Sequence, residues 1–222
     1  MDFAVNFTGL THGEFIHSDV YQQLADGVSY GEITPELMGD ISHNIMETFG
    51  KICPDVYETL IQDGQYFDNM AMETWYHGSE IVDNNLLYNT DFVYDLGKQY
   101  GADAIVGAIS HEMGHQMVNQ IFYASDNQLS DWQQELCADY IAGISSGLAD
   151  LSPDSMCDFY SESANEPSES HPNGDLRIEA FTKGYEWASN CLNHTFADFI
   201  VPNTTTLKEM LLHDVILPYS DY

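Results

Sequence analysis

The spacing of hydrophobic positions along the chain predicts a mostly helical protein. Apolar residues recur every three or four positions through most of the chain, which is the repeat of one face of an α-helix. We expect a last helix to begin after Thr206 and to end before Pro218, because proline cannot continue it. The other predicted helices cover residues 35–50, 54–62, 91–100, 102–123, 131–147 and 174–190, and a short one follows Ser152-Pro153.

Capping residues mark the ends of several of these helices. Thr34 is an N-cap that precedes a proline at the first helical position, and Gly101 interrupts the helical pattern. Ser130 and Gln133 have the spacing of a capping box, and residues 206–209 repeat it. These signals place helix starts independently of the hydrophobic pattern.

Strand patterns are few. Phe3, Val5 and Phe7 alternate like a short strand, and residues 80–89 predict one or two further short strands. Residues 161–174 are rich in Ser, Glu and Pro and predict a flexible loop. The predicted fold class is therefore α+β, mostly helical, with a small sheet.

The charge of the chain excludes some partners. Five Lys and Arg stand against 36 Asp and Glu, a formal charge of −31, yet only 18% of the residues are charged. The imbalance comes from missing cations, and such a surface repels nucleic acids and anionic membranes. Adaptation to high salt, a preference for cationic partners and an acidity without function remain three interpretations.

No segment predicts a membrane span or a secretory signal. A span needs about 20 consecutive apolar residues, and no stretch approaches this. The N-terminus also lacks a basic region followed by an apolar run. We therefore expect a cytoplasmic protein without membrane insertion, and the mature form of an exported protein is the alternative.

The four cysteines are Cys53, Cys137, Cys157 and Cys191, with no Cys-x-x-Cys pair among them. In a chain of 222 residues they form no dense framework, so that free buried thiols are the expected state. A bridge between Cys157 and Cys191 is the alternative if the protein is exported.

The segment His111-Glu112-Met113-Gly114-His115 lies within the predicted helix over residues 102–123. Histidines four positions apart project from the same helix face, so that both imidazoles can reach one metal ion. Glu112 is about 100° further around the helix than the first histidine and is placed to activate a water molecule. This is the His-Glu-x-x-His pattern, and the metal that it predicts is zinc.

A catalytic zinc site needs a third protein ligand, and the next predicted helix offers Glu135 and Asp139 on one face. A glutamate is long enough to reach the metal across the gap between two helices. The shorter Asp139 is placed to accept the spare N–H of a ligand histidine and to fix its tautomer. We therefore expect one Zn²⁺ per chain, held by His111, His115 and Glu135. A helix with ordinary core or surface histidines is the alternative.

These residues resemble the gluzincins, zinc metallopeptidases in which His-Glu-x-x-His is followed by Glu-x-x-x-Asp on a second helix. More locally, the chain is similar to the bacterial neutral zinc metallopeptidases and to the soluble catalytic core of the CAAX-prenyl-protease type. The matching positions, which fall within residues 80–188, are residues 86–89, Phe92, residues 100–102, 109–115, 135–143, 171–172 and 177–178, Phe181, and residues 184–185.

The resemblance implies a zincin-like metallopeptidase domain with an active-site helix, a second ligand helix and a small sheet. The implied core covers residues 80–222, and residues 1–79 are expected to form a helical N-terminal part packed on it. His171 and Arg177 become candidates for the second donor, besides the metal, to the oxyanion that develops during hydrolysis. The alternatives are an ordinary loop histidine for His171 and a structural partner of a carboxylate for Arg177. Residues 86–89 are implied to be an exposed edge strand to which extended peptides add, with a plain core strand as the alternative.

The expected function is zinc-dependent hydrolysis of peptide bonds, as an endopeptidase, with Glu112 as the general base. The expected partner is a peptide or protein substrate, and the oligomeric state is not predicted. A noncatalytic binding module that keeps zinc for stability is one alternative, although a structural site needs no base at Glu112. A zinc hydrolase of non-peptide amides is another.

Overall fold

The computed structural model describes residues 18–52, 60–63, 70–77, 80–122, 129–163, 166–193 and 206–220. These segments are mostly helical with one small sheet, which confirms the α+β class. The elements are α1 (Ser18–Tyr30), α2 (Pro35–Ile52), β1 (Leu60–Asp63), β2 (Met70–His77), β3 (Glu80–Tyr88), α3 (Thr90–Tyr100), α4 (Ala102–Phe122), α5 (Asp131–Leu148), α6 (Asp154–Ser163), α7 (Gly174–Asn193) and α8 (Leu207–Leu211), which continues as a π-helical turn over Leu212–Ile216.

α4 is the central helix of the core. It packs against α3, α5 and α6, and also contacts β2 and β3 of the sheet. Ile105, Ile109 and Met113 on α4 are completely buried. Leu24 of α1 and Ile41 of α2 belong to the same buried cluster, so that the first two helices share this core. A helix that is covered on nearly every side holds its polar residues in a rigid, water-poor setting.

α5 and α7 cross with their backbones in direct contact. A Cβ atom on Gly143 would lie 2.0 Å from the carbonyl oxygen of Phe181, and one on Gly184 would lie 2.0 Å from that of Tyr140. Glycine is required at such a crossing because any side chain would separate the helices. The close approach brings the first turns of α7 against the part of α5 that carries Asp139.

The sheet has the strand order β1-β3-β2. β1 runs parallel to β3, with Leu60 opposite Asn85, and β2 runs antiparallel to it, with Met70 opposite Tyr88. β3 is therefore the central strand. The first part of β2 faces the functional region described below, and Met70 is buried there.

Most predicted helices and helix starts are confirmed. Thr34 Oγ1 accepts a hydrogen bond from the amide of Leu37, and Ser130 and Gln133 form the predicted capping box. Residues 206–209 form the second box. Gly101 ends α3 with a φ of 92°, a left-handed conformation that favours glycine.

Two predictions of secondary structure need correction, and two elements, α1 and β2, were not predicted. Residues 60–62, assigned to a helix, form part of β1, because pairing with β3 outweighs their local preference; residues 53–59 lie outside the described segments. The loop assigned to residues 161–174 begins later, since α6 continues to Ser163. The predicted strand at Phe3, Val5 and Phe7 also lies outside the described residues.

Within the described residues, no helix combines the length and the apolar character needed to cross a membrane. Cys137 is a buried free thiol and Cys157 a partly buried one. The alternative of a bridge between Cys157 and Cys191 is therefore wrong for this structure. Burial raises the pKa of both thiols, which keeps them protonated.

Candidate metal centre

His111 and His115 lie side by side on the buried face of α4. Their Nε2 atoms are 3.1 Å apart, and their rings meet edge to face with centroids 4.7 Å apart. Gly114, between them, allows α5 to approach, because a Cβ atom there would lie 3.0 Å from the backbone of Ala138. The spacing of four residues therefore brings both imidazole nitrogens to one point facing α5, as the sequence predicts.

Glu135 reaches this point from α5. Its Oε1 lies 3.3 Å from Nε2 of His115, and its Oε2 lies 3.4 Å from Nε2 of His111. One ligand atom from each of the three residues falls within 4.8 Å of the others. Burial alone would raise the pKa of Glu135, but the two histidines hold it well below its usual range. The third residue expected from the sequence is thus a carboxylate in the right place.

The chemistry of these donors fits a metal ion. Among the described residues, the buried Oε2 atom of Glu135 has no donor at hydrogen-bonding geometry. Two imidazole nitrogens and a carboxylate oxygen are a known ligand set for catalytic zinc. Burial alone would lower the pKa of His111, but Asp139 and Glu135 raise it to about 10, so that a metal ion binding at Nε2 would displace a proton.

Asp139 lies one turn beyond Glu135, fully buried, beside the other face of His111. Its Oδ1 is 2.8 Å from Nδ1 of His111, although the ring is not oriented for a well-aligned hydrogen bond. Arg177 of α7 binds the carboxylate with both ends, Nε to Oδ2 at 2.8 Å and Nη2 to Oδ1 at 2.9 Å. Burial alone would raise the pKa of Asp139, but Arg177 and His111 lower it to about 2.

Arg177 is itself buried at the edge of the three-ligand cluster. Its Nη2 lies 3.4 Å from Nε2 of His111 and 3.6 Å from Oε2 of Glu135. Burial disfavours the charged form, but Asp139 and the surrounding acceptors keep the pKa of Arg177 above its usual value. The guanidinium therefore partly neutralises the charge of the two carboxylates.

His171 approaches the same cluster from the loop before α7. Its Nε2 lies 3.6 Å from Oε1 of Glu135, and its side chain is 53% exposed. Its Nδ1 contacts Ser170 Oγ at 2.8 Å, and the loop is tied to α5 by a hydrogen bond from Trp132 Nε1 to the carbonyl of Ser168. His171 thus sits at the mouth of the site, whereas Arg177 lies within it.

His111, His115, Glu135, His171 and Arg177 line one cavity of about 370 Å³, and Asp139 is buried behind them. Glu112 lines it beside the two histidines, and burial raises the pKa of its carboxyl group. The other wall is apolar and comes from α3, α4, α6 and β2. Its residues, which sequence reasoning did not assign to the site, are Met70, Ala71, Phe92, Ala108, Met156, Phe159 and Tyr160.

A detectable signal for the α6 wall was the spacing of Met156, Phe159 and Tyr160, which share one helix face. The edge-strand prediction for residues 86–89 is wrong, because β3 pairs with a strand on each side; the core-strand alternative holds. β2 instead places Met70 and Ala71 on the cavity.

No family model, curated protein or solved structure matches the chain. The centre is therefore interpreted from its own geometry. The structure establishes a cluster of His111, His115 and Glu135 that is compatible with a metal ion.

Proposed function

We propose that the protein is a zinc-dependent peptidase of the gluzincin type. The observation that carries the proposal is the convergence of His111, His115 and Glu135 within 4.8 Å, in a cavity that Glu112 also lines. Three protein ligands leave a fourth position open, which is the arrangement of catalytic rather than structural zinc sites. Glu112, next to the first histidine, can act as a base, which a purely structural metal site does not need.

Zinc is the metal that we propose, because two histidines and a glutamate are a known ligand set for catalytic zinc. Neutral imidazoles suit zinc, copper, iron and nickel, and a single carboxylate is a poor match for the oxygen-rich shells of calcium or magnesium. When bound, zinc supplies a Lewis acid for the scissile carbonyl and lowers the pKa of water. Every other task in the reaction falls to the side chains of the chain itself.

Glu112 is proposed to take the proton from the attacking water and to pass it to the leaving amine. Burial raises its pKa, which brings its basicity closer to neutral pH and makes both transfers easier. The charges of His111, His115 and Arg177 oppose that rise in the pKa of Glu112, and the charge of Glu135 adds to it. A glutamine at this position keeps the shape and removes the base.

His171 and Arg177 are proposed to have different tasks. Nε and Nη2 of Arg177 both donate hydrogen bonds to Asp139. The main effect of Arg177 is therefore to hold that carboxylate beside His111. His171 is half exposed at the cavity mouth and lies 3.6 Å from Glu135. We therefore assign the donor to the developing oxyanion to His171.

The substrate is proposed to bind in extended form along β2. Among the described strands, β2 pairs on one side only, and Met70 and Ala71 lie on the cavity. An edge strand offers backbone hydrogen bonds to an added peptide irrespective of its sequence. The apolar wall across the cavity then contacts a side chain next to the scissile bond.

The experiment is to prepare metal-free protein and to add zinc in steps while cleavage of a mixed peptide library is followed by mass spectrometry. We expect cleavage to rise until one zinc ion per chain is bound and to stop with a chelator. Zinc binding without cleavage of any peptide would favour the noncatalytic module. Hydrolysis of small non-peptide amides, assayed in parallel, without cleavage of any peptide would favour the non-peptide hydrolase.

A further inference from the structure

Tyr160 is a buried residue of α6 that joins the metal centre from outside the motifs. It is 1% exposed, and its hydroxyl donates a hydrogen bond of 2.6 Å to Oδ1 of Asp139. Its ring lies beneath the guanidinium of Arg177, with Cζ 4.4 Å from the ring centroid. One side chain thus holds both partners of the Asp139–Arg177 ion pair, one through its hydroxyl and one through its ring face.

The position of Tyr160 is fixed by its neighbours. Its ring packs edge to face against Phe181 of α7, with centroids 6.1 Å apart, and lies tilted against Phe159 of its own helix at 5.7 Å. Phe181 belongs to the close crossing of α5 and α7 at Gly143. Tyr160 therefore packs against the same two helices that carry Asp139 and Arg177. This packing holds its hydroxyl in position to donate to Asp139.

Oδ1 of Asp139 is the shared atom of this arrangement. It accepts from Tyr160 Oη at 2.6 Å and from Arg177 Nη2 at 2.9 Å, and it lies 2.8 Å from His111 Nδ1. Removing one donor frees the carboxylate to turn toward the other two. A change in its angle alters the orientation and the basicity of His111, whose Nε2 faces Glu135.

We propose that Tyr160 is a positioning residue that fixes the Asp139 carboxylate between His111 and Arg177, so that metal affinity and turnover depend on its hydroxyl. This rests on the proposed zinc function, but it concerns how the centre is held. Burial raises the pKa of Tyr160, which keeps the phenol protonated as a donor. The competing interpretation is a core tyrosine whose hydroxyl only needs a partner.

The test is Tyr160→Phe, which keeps the ring over Arg177 and removes the hydroxyl. The matched control is Tyr185→Phe on α7, whose hydroxyl donates to the carbonyl of Leu151 at 3.1 Å, away from the cavity lining. For both variants and the wild type, three quantities are measured: the zinc dissociation constant by competition with a chelating dye, kcat and KM at saturating zinc, and the melting temperature of the metal-free protein.

We expect Tyr160→Phe to weaken zinc binding about 10–100-fold, as loss of an outer partner typically does. We also expect kcat to fall while KM stays near the wild-type value, because the substitution removes only the hydroxyl, which faces Asp139, and keeps the ring in the cavity wall. Tyr185→Phe should lower the melting temperature without moving zinc affinity or kcat. In an Asp139→Asn background, Tyr160→Phe should have little further effect, since the hydroxyl acts through that carboxylate.

Wild-type zinc affinity and kcat in Tyr160→Phe, with only a lower melting temperature, would overturn the positioning role. An undiminished effect in the Asp139→Asn background would overturn it too, because the hydroxyl would then act by another route. If the wild type binds zinc but cleaves no peptide, the proposed function fails while the zinc affinities still decide the role of Tyr160. A wild type that binds no zinc overturns both.

Discussion

At the scale of single residues, the centre is a cluster of charges in a buried helix interface. His111, Glu135, Asp139 and Arg177 are each less than one fifth exposed. Charges removed from water cost several kcal/mol each unless they are paired or bind a metal. Arg177 offsets Asp139 directly, and a divalent cation at the three ligand atoms would offset Glu135. The cluster therefore has a physical reason to bind metal apart from any motif.

Glu135→Ala tests the third ligand. We expect zinc binding to be largely lost, because two imidazoles alone leave a catalytic site one ligand short. The control is Glu186→Ala, which removes an exposed glutamate from α7 and should keep one zinc per chain. Metal analysis after dialysis provides the measurement. Retention of a full zinc equivalent by Glu135→Ala would move the ligand to another residue.

Sequence reasoning reached the residues whose roles follow from helical spacing. His111 and His115 are four apart, and Glu135 and Asp139 repeat that spacing on the next helix. Sequence reasoning did not identify Tyr160, because its contact with Asp139 joins residues 21 positions apart and depends on the packing of α6, which no local pattern encodes. Sequence reasoning gave a structural carboxylate partner as the alternative for Arg177, but that this carboxylate is Asp139 appears only once α5 and α7 are packed.

At the scale of elements, the crossing of α5 and α7 sets the geometry of the centre. Asp139 meets Arg177, Gly143 meets Phe181, and Gly147 meets Tyr185, so that the contacts advance together along both helices. The two helices therefore run in the same direction at close range. The ion pair at one end depends on the glycine contacts further along.

Gly143→Ala tests this dependence. The added Cβ would lie 2.0 Å from a backbone oxygen, which no rotamer change can relieve. We therefore expect the free energy of unfolding to fall by at least the about 1–3 kcal/mol that is typical of overpacking. Zinc affinity should fall together with stability, because Arg177 moves away from Asp139. The control is Gly39→Ala in α2, where a Cβ meets nothing within 4 Å and helix propensity favours alanine by about 1 kcal/mol. Denaturant unfolding decides: equal stability of the two variants would contradict the close crossing.

Tyr21 links α1 to the start of α4, which carries the histidines. Its hydroxyl donates to Asp103, whose other oxygen accepts from the amide of Ser152. Burial, together with the hydrogen bond to Asp103 and its charge, raises the pKa of Tyr21 well above the usual value. A group whose folded pKa is raised contributes stability that is present below its unfolded pKa, about 10 for tyrosine, and is lost as pH rises through the folded value.

We therefore expect the stability of the wild type to fall more steeply above about pH 10 than that of Tyr21→Phe. The control is Tyr30→Phe on the same helix, where the tyrosine is 78% exposed and should leave the wild-type slope unchanged. Urea unfolding at a series of alkaline pH values provides the measurement. Parallel slopes for wild type and Tyr21→Phe would show that Tyr21 titrates alike in the folded and unfolded chain.

The helices were more predictable than the sheet for a physical reason. The hydrophobic repeat and the capping residues that define α4 and α5 involve residues close together in the sequence. β1 has four residues and gains its conformation by pairing with residues 85–88, far along the chain. The position of β3 in the middle of the sheet likewise follows only from strands on both sides, so that a pattern within residues 80–89 could predict a strand but not its neighbours.

At the scale of the whole molecule, the dominant feature is the formal charge of −31. So many like charges repel one another in the folded state, and salt screens the repulsion. The Debye length falls from about 30 Å at 0.01 M salt to about 8 Å at 0.15 M. The free energy of unfolding should therefore depend on salt concentration in this range. This expectation holds for each of the three interpretations of the acidity.

We expect the melting temperature of the metal-free protein to rise as NaCl increases, with most of the rise below about 0.2 M, where screening changes fastest. A specific adaptation to high salt would instead produce a continuing rise at molar concentrations. Scanning calorimetry over a salt series distinguishes the two. A melting temperature that is flat below about 0.2 M would mean that self-repulsion is unimportant despite the net charge.

The division into residues 1–79 and a core over residues 80–222 stays a prediction. Within the described part, α1 and α2 share buried contacts with α4, so that the first helices are close to the centre in space. Under the proposed function, the first helices would act indirectly, through the rigidity of α4. The proposed reacting groups lie on α4, on α5 and in the loop before α7.

The measurement that tests the central claim most directly is peptide hydrolysis by Glu112→Gln at a zinc content equal to that of the wild type. The substitution removes the proposed base and leaves His111, His115 and Glu135 in place. We predict one zinc ion per chain in both proteins and a rate at least about 10²-fold lower in the variant, the typical contribution of a general base. A rate within about tenfold of the wild type, at equal zinc content, would contradict the assignment of Glu112 and with it the proposed mechanism.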